Sequence, residues 1–172
     1  NLLLSLAERG HRVTLATLWE NSDEKNALEI FWNHGIEVID AELPKSKRAI
    51  NIVTGLLSNK PIQAKFSLQP KLFEKINQWS RKEKPDLVHV EHLRGAEYGL
   101  WAQKAMKPVV HVVWDAVDCI SLLFERASKS SRKAISRLVT RIELPRTRKY
   151  EGLLTNQFHK IHPSSLLLDC GS

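Results

Sequence analysis

Cysteine is scarce in this chain: two in 172 residues, Cys119 and Cys170. Two isolated thiols form no disulfide framework and fall in no metal-ligand spacing, which suits a reducing compartment. No apolar run approaches the roughly 20 residues needed to span a bilayer. The opening Asn1-Leu2-Leu3-Leu4 lacks the basic start, the long apolar centre and the small-residue cleavage site of a signal peptide. A cytoplasmic setting is therefore expected. There is no Asp-x-Asp pair to suggest a metal bridge, no internal repeat and no low-complexity linker. An initiator methionine is absent as well, and the expectation is of a stretch cut from a longer protein.

What the chain does contain is enough apolar material for a folded core. Hydrophobic residues make up 42%, with five Trp, five Phe and two Tyr, so disorder is excluded and one domain over 1–172 is the default. Charge is distributed unevenly. Residues 121–150 hold nine Lys or Arg against two acids, while the remainder carries seventeen of each sign. The formal net charge of +7 thus resides in one segment.

Hydrophobic periodicity alternates helix and strand. Leu2, Leu3, Leu6 and Ala7 share one helical face, closed by Gly10. His11 to Leu18 is a strand rich in β-branched residues. Asn21-Ser22-Asp23-Glu24 has the polar cap and acidic first turn of a helix start, and that helix runs through Leu28, Phe31 and Trp32 to His34-Gly35. Ile36 to Asp40 is the next strand. Ile50, Val53, Leu56 and Leu57 suggest a short amphipathic helix, and Phe66 to Trp79 a further one. Leu122 to Lys149 is helical, broken or bent at Pro145. Ile161 to Ser165 reads as a last short strand.

The most informative stretch runs from Pro85 to Ser121. Leu87-Val88-His89-Val90 is an apolar run ending in Glu91 and His92. A helical segment follows, then a second run from Val109 to Val113 that ends in Trp114-Asp115-Ala116-Val117-Asp118. Two buried strands joined by a helix form a right-handed βαβ unit, and ligands in open α/β sheets bind outside the carboxyl ends of the strands. The fold class is α/β: a Rossmann-like, doubly wound, mostly parallel sheet forming a single domain that lacks its first strand.

Several segments together resemble a known family. LLLSLAERGHRVTLATL is similar to the first helix and second strand of the N-terminal domain of GT-B glycosyltransferases. PDLVHVEH and KPVVHVVWDAVDCIS resemble two later strands of that domain. "D.VDC.S" (Asp115 to Ser121) and "E..R...YE" (Glu143 to Glu151) resemble the family-4-like group, particularly the sugar transferases associated with exopolysaccharide and PEP-CTERM/exosortase systems. The resemblance implies an acceptor-side domain whose partner domain binds the nucleotide-sugar. It implies no cofactor and no metal. The matching segments belong to the acceptor-side domain alone, and no Gly-rich loop follows a first strand. The chain also carries Glu91 where many relatives carry the second His of H-x-H.

The catalytic candidates are Glu91 and His92, at a strand end where a carboxylate or imidazole can take a proton from an acceptor hydroxyl. Capping of the next helix, or a surface pair, is the plainer role for both. Asp115 and Asp118 are candidates for sugar hydroxyls, or for an Asx turn. Arg94 and Gly95 suit an anion at a helix start, or a simple turn. His89 and His111 sit inside apolar runs and read as core or semi-buried histidines rather than ligands. Arg126, Lys129, Lys133, Arg137 and Arg141 recur every three or four residues as a cationic stripe. Such a stripe is either a solvated face or a contact for anionic lipid or a polyprenyl-phosphate acceptor, which would make the protein peripheral on the membrane. Nucleic acid is disfavoured because no aromatics interleave with it. The expected function is transfer of a sugar from a nucleotide-sugar donor to a lipid-linked or saccharide acceptor in cell-surface polysaccharide synthesis. The alternative is a non-catalytic α/β module that binds an anionic ligand or membrane through the basic helix.

Overall fold

The computed structural model describes residues 2–106, 110–115, 120–121, 134–158 and 160–161. Its elements are α1 (Leu2–Glu8), β1 (Thr14–Trp19), α2 (Ser22–Asn26), α3 (Glu29–Asn33), β2 (Glu37–Glu42), α4 (Lys45–Leu56), α5 (Ile62–Phe66), α6 (Pro70–Ser80), β3 (Leu87–Glu91), α7 (His92–Ala105), β4 (His111–Asp115), α8 (Ala134–Gln157) and β5 (Lys160–Ile161). They divide into two compact units, Asn1–Ala49 with Gln69–Glu83, and Ile50–Leu68 with Lys84–Ser172. The fold is the mixed α/β, Rossmann-like class expected, with every described strand pair parallel. Two ladders stand where the sequence pattern suggested one sheet short of a strand: β1-β2, and β3-β4-β5.

In the first unit the local signals act as chemistry requires. Gly10 ends α1 at φ +83° and Gly35 ends α3 at φ +73°, a region that favours glycine. Asn21 caps α2 by accepting from the Glu24 N–H at 2.9 Å, while Glu24 accepts from the Glu20 N–H at 2.7 Å. The helix expected from Asn21 to His34 is instead two short ones, α2 and α3. The Glu37 N–H bonds Val13 and the Leu43 N–H bonds Trp19. The alternate carbonyls of β2 therefore face away from β1. Two of these accept from α6 side chains, Asp40 from Lys75 Nζ at 2.6 Å and Glu42 from Gln69 Nε2 at 2.5 Å. Side chains thus close an edge that would otherwise invite another strand. Ile39, Ala41, Leu72 and Ile76 are buried beneath.

In the second unit, β3 and β4 pair in register from Leu87–His111 to Glu91–Asp115. The connecting helix α7 lies on one face of this ladder because Gly99 removes the side chain that would block it. A methyl there would stand 2.6 Å from Val90 Cγ2, 3.2 Å from Phe158 Cζ and 3.3 Å from Val112 Cγ1. Val90, Leu93, Ala96, Ala102, Val112, Trp114, Leu154 and Phe158 form the core, with Trp114 and Phe158 ring centroids 6.5 Å apart. In the first unit, the helix expected from Phe66 to Trp79 starts only at Pro70, with Gln69 as its cap. Helix α8 runs through Pro145 unbroken. No described helix is long and apolar enough to cross a membrane.

The stripe Ile50, Val53, Leu56 and Leu57 faces outward, and α4 is held from its other side by Asn51 and Gly55. The Asn51 amide donates to the carbonyls of Phe66 (3.1 Å) and Leu68 (2.8 Å), so a polar anchor replaces the apolar one.

Candidate functional site

Successive side chains on a strand point to opposite faces. With Val90 and Val112 directed at α7, the residues His89, Glu91, Val113 and Asp115 must share the other face of the ladder. That face is open at its carboxyl end: His89 and Glu91 are exposed, and Asp115 is half-buried. His89 Nε2 lies 3.7 Å from Asp115 Oδ2 across the two strands, an ion pair when the imidazole is protonated. Of the two readings for His89, core or semi-buried, the core one fails: its side chain is 32% exposed. Val90 beside it is buried and Val88 half-buried, but alternation turns the imidazole outward beside the site. The other histidine read as core, His111, is exposed too.

Strand β3 passes into α7 with no intervening loop, because Glu91 ends the one and His92 begins the other. His92 makes that corner at φ +58°, the one non-glycine described residue in the left-handed region. Such a conformation costs about 1–2 kcal/mol for an L-residue and is held only by the surrounding fold. Glu91 occupies the N-cap position of α7, yet its side chain makes no capping hydrogen bond. The plainer role for that carboxylate, helix capping, is thus not the one it performs. His92 is exposed at the same corner.

Arg94 and Gly95 have definite work in the packing. Arg94 Nε donates to Gln63 Oε1 at 2.9 Å, its guanidinium lies 4.6 Å from the Phe66 ring centroid, and its carbonyl accepts from Ser67 Oγ at 2.7 Å. It is clamped to α5 through both side chain and backbone. A methyl on Gly95 would meet Val90 Cγ1 at 3.0 Å, so this glycine lets the start of α7 press on β3. Asp118, Arg126, Lys129 and Lys133 lie outside the described residues, as does the Arg137 side chain. Arg141 is exposed on α8.

The residues of "E..R...YE" fasten this half of the protein. Glu143 is almost fully buried and accepts from the Ile62 N–H at 2.7 Å, supplying the cap that Pro61 cannot give to α5. Arg146 Nη1 bridges Glu143 (3.3 Å) and the Leu56 carbonyl (3.2 Å). Tyr150 donates to Glu97, which also accepts from Lys60 Nζ at 2.6 Å. Burial, and then the bond to Glu97, raise the Tyr150 phenol well above its ordinary pKa. Glu151 Oε1 accepts from the Ser121 N–H at 3.4 Å. Burial raises the Glu151 pKa, partly offset by its bonds to Ser121 and Ile120. Glu97, Gly99 and Lys60 escaped sequence reasoning because their partners are supplied from distant segments. Among the described residues no group of three or more His, Cys, Asp or Glu is placed to hold a metal ion.

The site thus presents a carboxylate, an imidazole and a second carboxylate on one open sheet face, beside a strained corner. That set can accept a proton from a hydroxyl and hold others by hydrogen bonds. Residues 1–157 match the model of a family described as Glycosyltransferase Family 4. No curated protein and no solved structure matches the chain.

Proposed function

Because the chain belongs to glycosyltransferase family 4, we propose that its open sheet face is the acceptor side of a sugar-transfer site. In this reading a second domain of the full-length protein holds the nucleotide-sugar. The acceptor is a lipid-linked or saccharide hydroxyl in cell-surface polysaccharide synthesis, at the cytoplasmic side of a membrane. Glu91 takes the hydroxyl proton, with His92 and the His89–Asp115 pair orienting the acceptor; Asp118 is a further candidate for holding sugar hydroxyls. Arg94 and Gly95 hold the start of α7 in place. No metal and no cofactor takes part. The observation that carries the reading is the convergence of His89, Glu91 and Asp115 at the carboxyl ends of β3 and β4.

The test is sugar transfer by the full-length protein. Glu91→Gln and His92→Ala should each lower turnover by about 10²-fold or more, the usual scale for a positioned acid–base group, with the melting temperature held. Unchanged turnover in both would sink the assignment. His92→Gly gives a sharper contrast: relief of the positive φ should leave stability equal or raised by up to about 1 kcal/mol while transfer still falls. The alternative, a non-catalytic module acting through the basic α8, requires these variants to be silent and Arg137→Glu with Arg141→Glu to abolish binding of an anionic ligand.

A further inference from the structure

In the first unit α6 lies beside the outer edge of β2, and a groove of about 300 Å³ runs between them. Its side-chain lining includes Glu37, Asp40, Lys75, Gln78, Trp79 and Lys82. We propose that this groove binds a neutral saccharide, one or two rings long, with the Trp79 indole as its platform. The inference stands without the sugar-transfer reading. Every lining residue belongs to the first unit, whereas His89, Glu91 and Asp115 belong to the second.

The groove is preorganised. Trp79 Nε1 donates to Glu37 Oε2 at 2.8 Å, and Thr14 Oγ1 donates to the same oxygen at 3.2 Å. Lys75 Nζ donates to the Asp40 carbonyl at 2.6 Å. An indole, a carboxylate and an ammonium are thus fixed before a ligand arrives, which lowers the entropy lost on binding. The groups left over suit hydroxyls. Among the described residues Glu37 Oε1, Gln78 Oε1 and Lys82 Nζ have no partner, two acceptors and a donor beside one aromatic ring. A sugar hydroxyl both donates and accepts. The C–H face of a sugar ring carries positive partial charge, which matches the negative face of an indole. Other occupants fit less well. Two acids and two lysines line the groove, so it has no net attraction for an anion or a cation. An extended peptide would need the outward carbonyls of β2, and those of Asp40 and Glu42 are taken by Lys75 and Gln69. The volume is at the low end for ligand cavities, about 300–1,000 Å³, which limits the ligand to a ring or two.

The experiment is titration of the full-length protein with cellobiose, maltose and chitobiose, followed by tryptophan emission and by saturation-transfer NMR. At least one of the three should bind in the millimolar range and shift the emission. Trp79→Phe should abolish that shift while NMR still detects the sugar, because phenylalanine keeps a ring and a misfolded protein would lose both signals. Gln78→Ala with Lys82→Ala should weaken binding about tenfold. Both side chains are exposed, and an unchanged melting temperature confirms folding. Glu91→Gln should keep the emission shift, so failure of the transfer site leaves this one standing. The proposal is overturned if none of the three sugars binds, if the shift survives Trp79→Phe, or if the double-Ala variant binds like the parent. A larger Trp79-dependent shift with glucose 1-phosphate than with any disaccharide also overturns it, since the ligand is then an anion.

Discussion

Substitution of Gly99 by alanine tests whether helix–sheet proximity is what sets this site. A new methyl at that position would stand 2.6 Å from Val90 Cγ2, closer than real methyl contacts allow, with Phe158 and Val112 at 3.2 and 3.3 Å. Val90 is buried, β-branched and held in the β3–β4 ladder, so it has little room to turn aside. Forcing a methylene into a packed core costs about 1–3 kcal/mol. Against this, alanine is better than glycine inside a helix by about 1 kcal/mol. Gly152 in α8 isolates the second effect, because a methyl there meets nothing within 4 Å. Gly152→Ala should therefore stabilise by up to about 1 kcal/mol. Gly99→Ala should fall about 1–3 kcal/mol below Gly152→Ala, a separation of several degrees in melting temperature at about 2–4 °C per kcal/mol. Thermal unfolding followed by circular dichroism measures both. The pair Gly99→Ala with Val90→Ala should recover at least about 0.5 kcal/mol relative to the sum of the singles. If Gly99→Ala raises the melting temperature as much as Gly152→Ala, the close approach of α7 to β3 is not what this glycine provides.

Three further outcomes follow from the buried titratable groups. The raised Tyr150 phenol means the unfolded chain ionises near pH 10 while the native one does not, so this group contributes stability that is lost as pH rises above 10. Of the two tyrosines, Tyr98 and Tyr150, one should resist ionisation in absorbance titration at 295 nm until the protein unfolds, and Tyr150→Phe should remove that silent step. Glu151 has its native pKa raised by burial, so its contribution is greatest below its unfolded pKa of about 4.5 and is lost as pH rises through the native value. Glu151→Gln should accordingly gain on the parent between pH 4.5 and 7; a pH-independent difference in melting temperature would refute that. Glu143→Ala should cost about 3 kcal/mol or more in chemical denaturation, because it strands the Ile62 N–H and removes the carboxylate partner of Arg146. A loss under 1 kcal/mol would show that the α5 cap is dispensable.

Much of the architecture is a property of short sequence windows. The alternation of 3.6-residue and two-residue periods decides helix or strand. Gly10 and Gly35 mark helix ends because few other residues accept positive φ, and Asn21 caps because its side chain reaches the third N–H of the turn it opens. The ends of β3 and β4 could be placed in the same way, and with them Glu91, His92 and Asp115. All of these rest on interactions spanning a few residues.

Tertiary structure decided the rest, wherever the partner comes from far along the chain. Periodicity reveals that α4 has an aliphatic stripe, but not that Asn51, bonded to the Phe66 and Leu68 carbonyls, would anchor the opposite side and turn the stripe outward. The run Leu87 to Val90 suggests burial on both faces; only the packing of α7 on Val90 and Val112 shows that His89 faces outward toward Asp115. Glu143 is one acid among nineteen until α8 brings it to the N-terminus of α5, 81 residues earlier in the chain. The strain at His92 arises from a strand and a helix meeting without a loop. Local preference chose these elements, and steric and hydrogen-bond demands between distant segments determined which side chains the site presents.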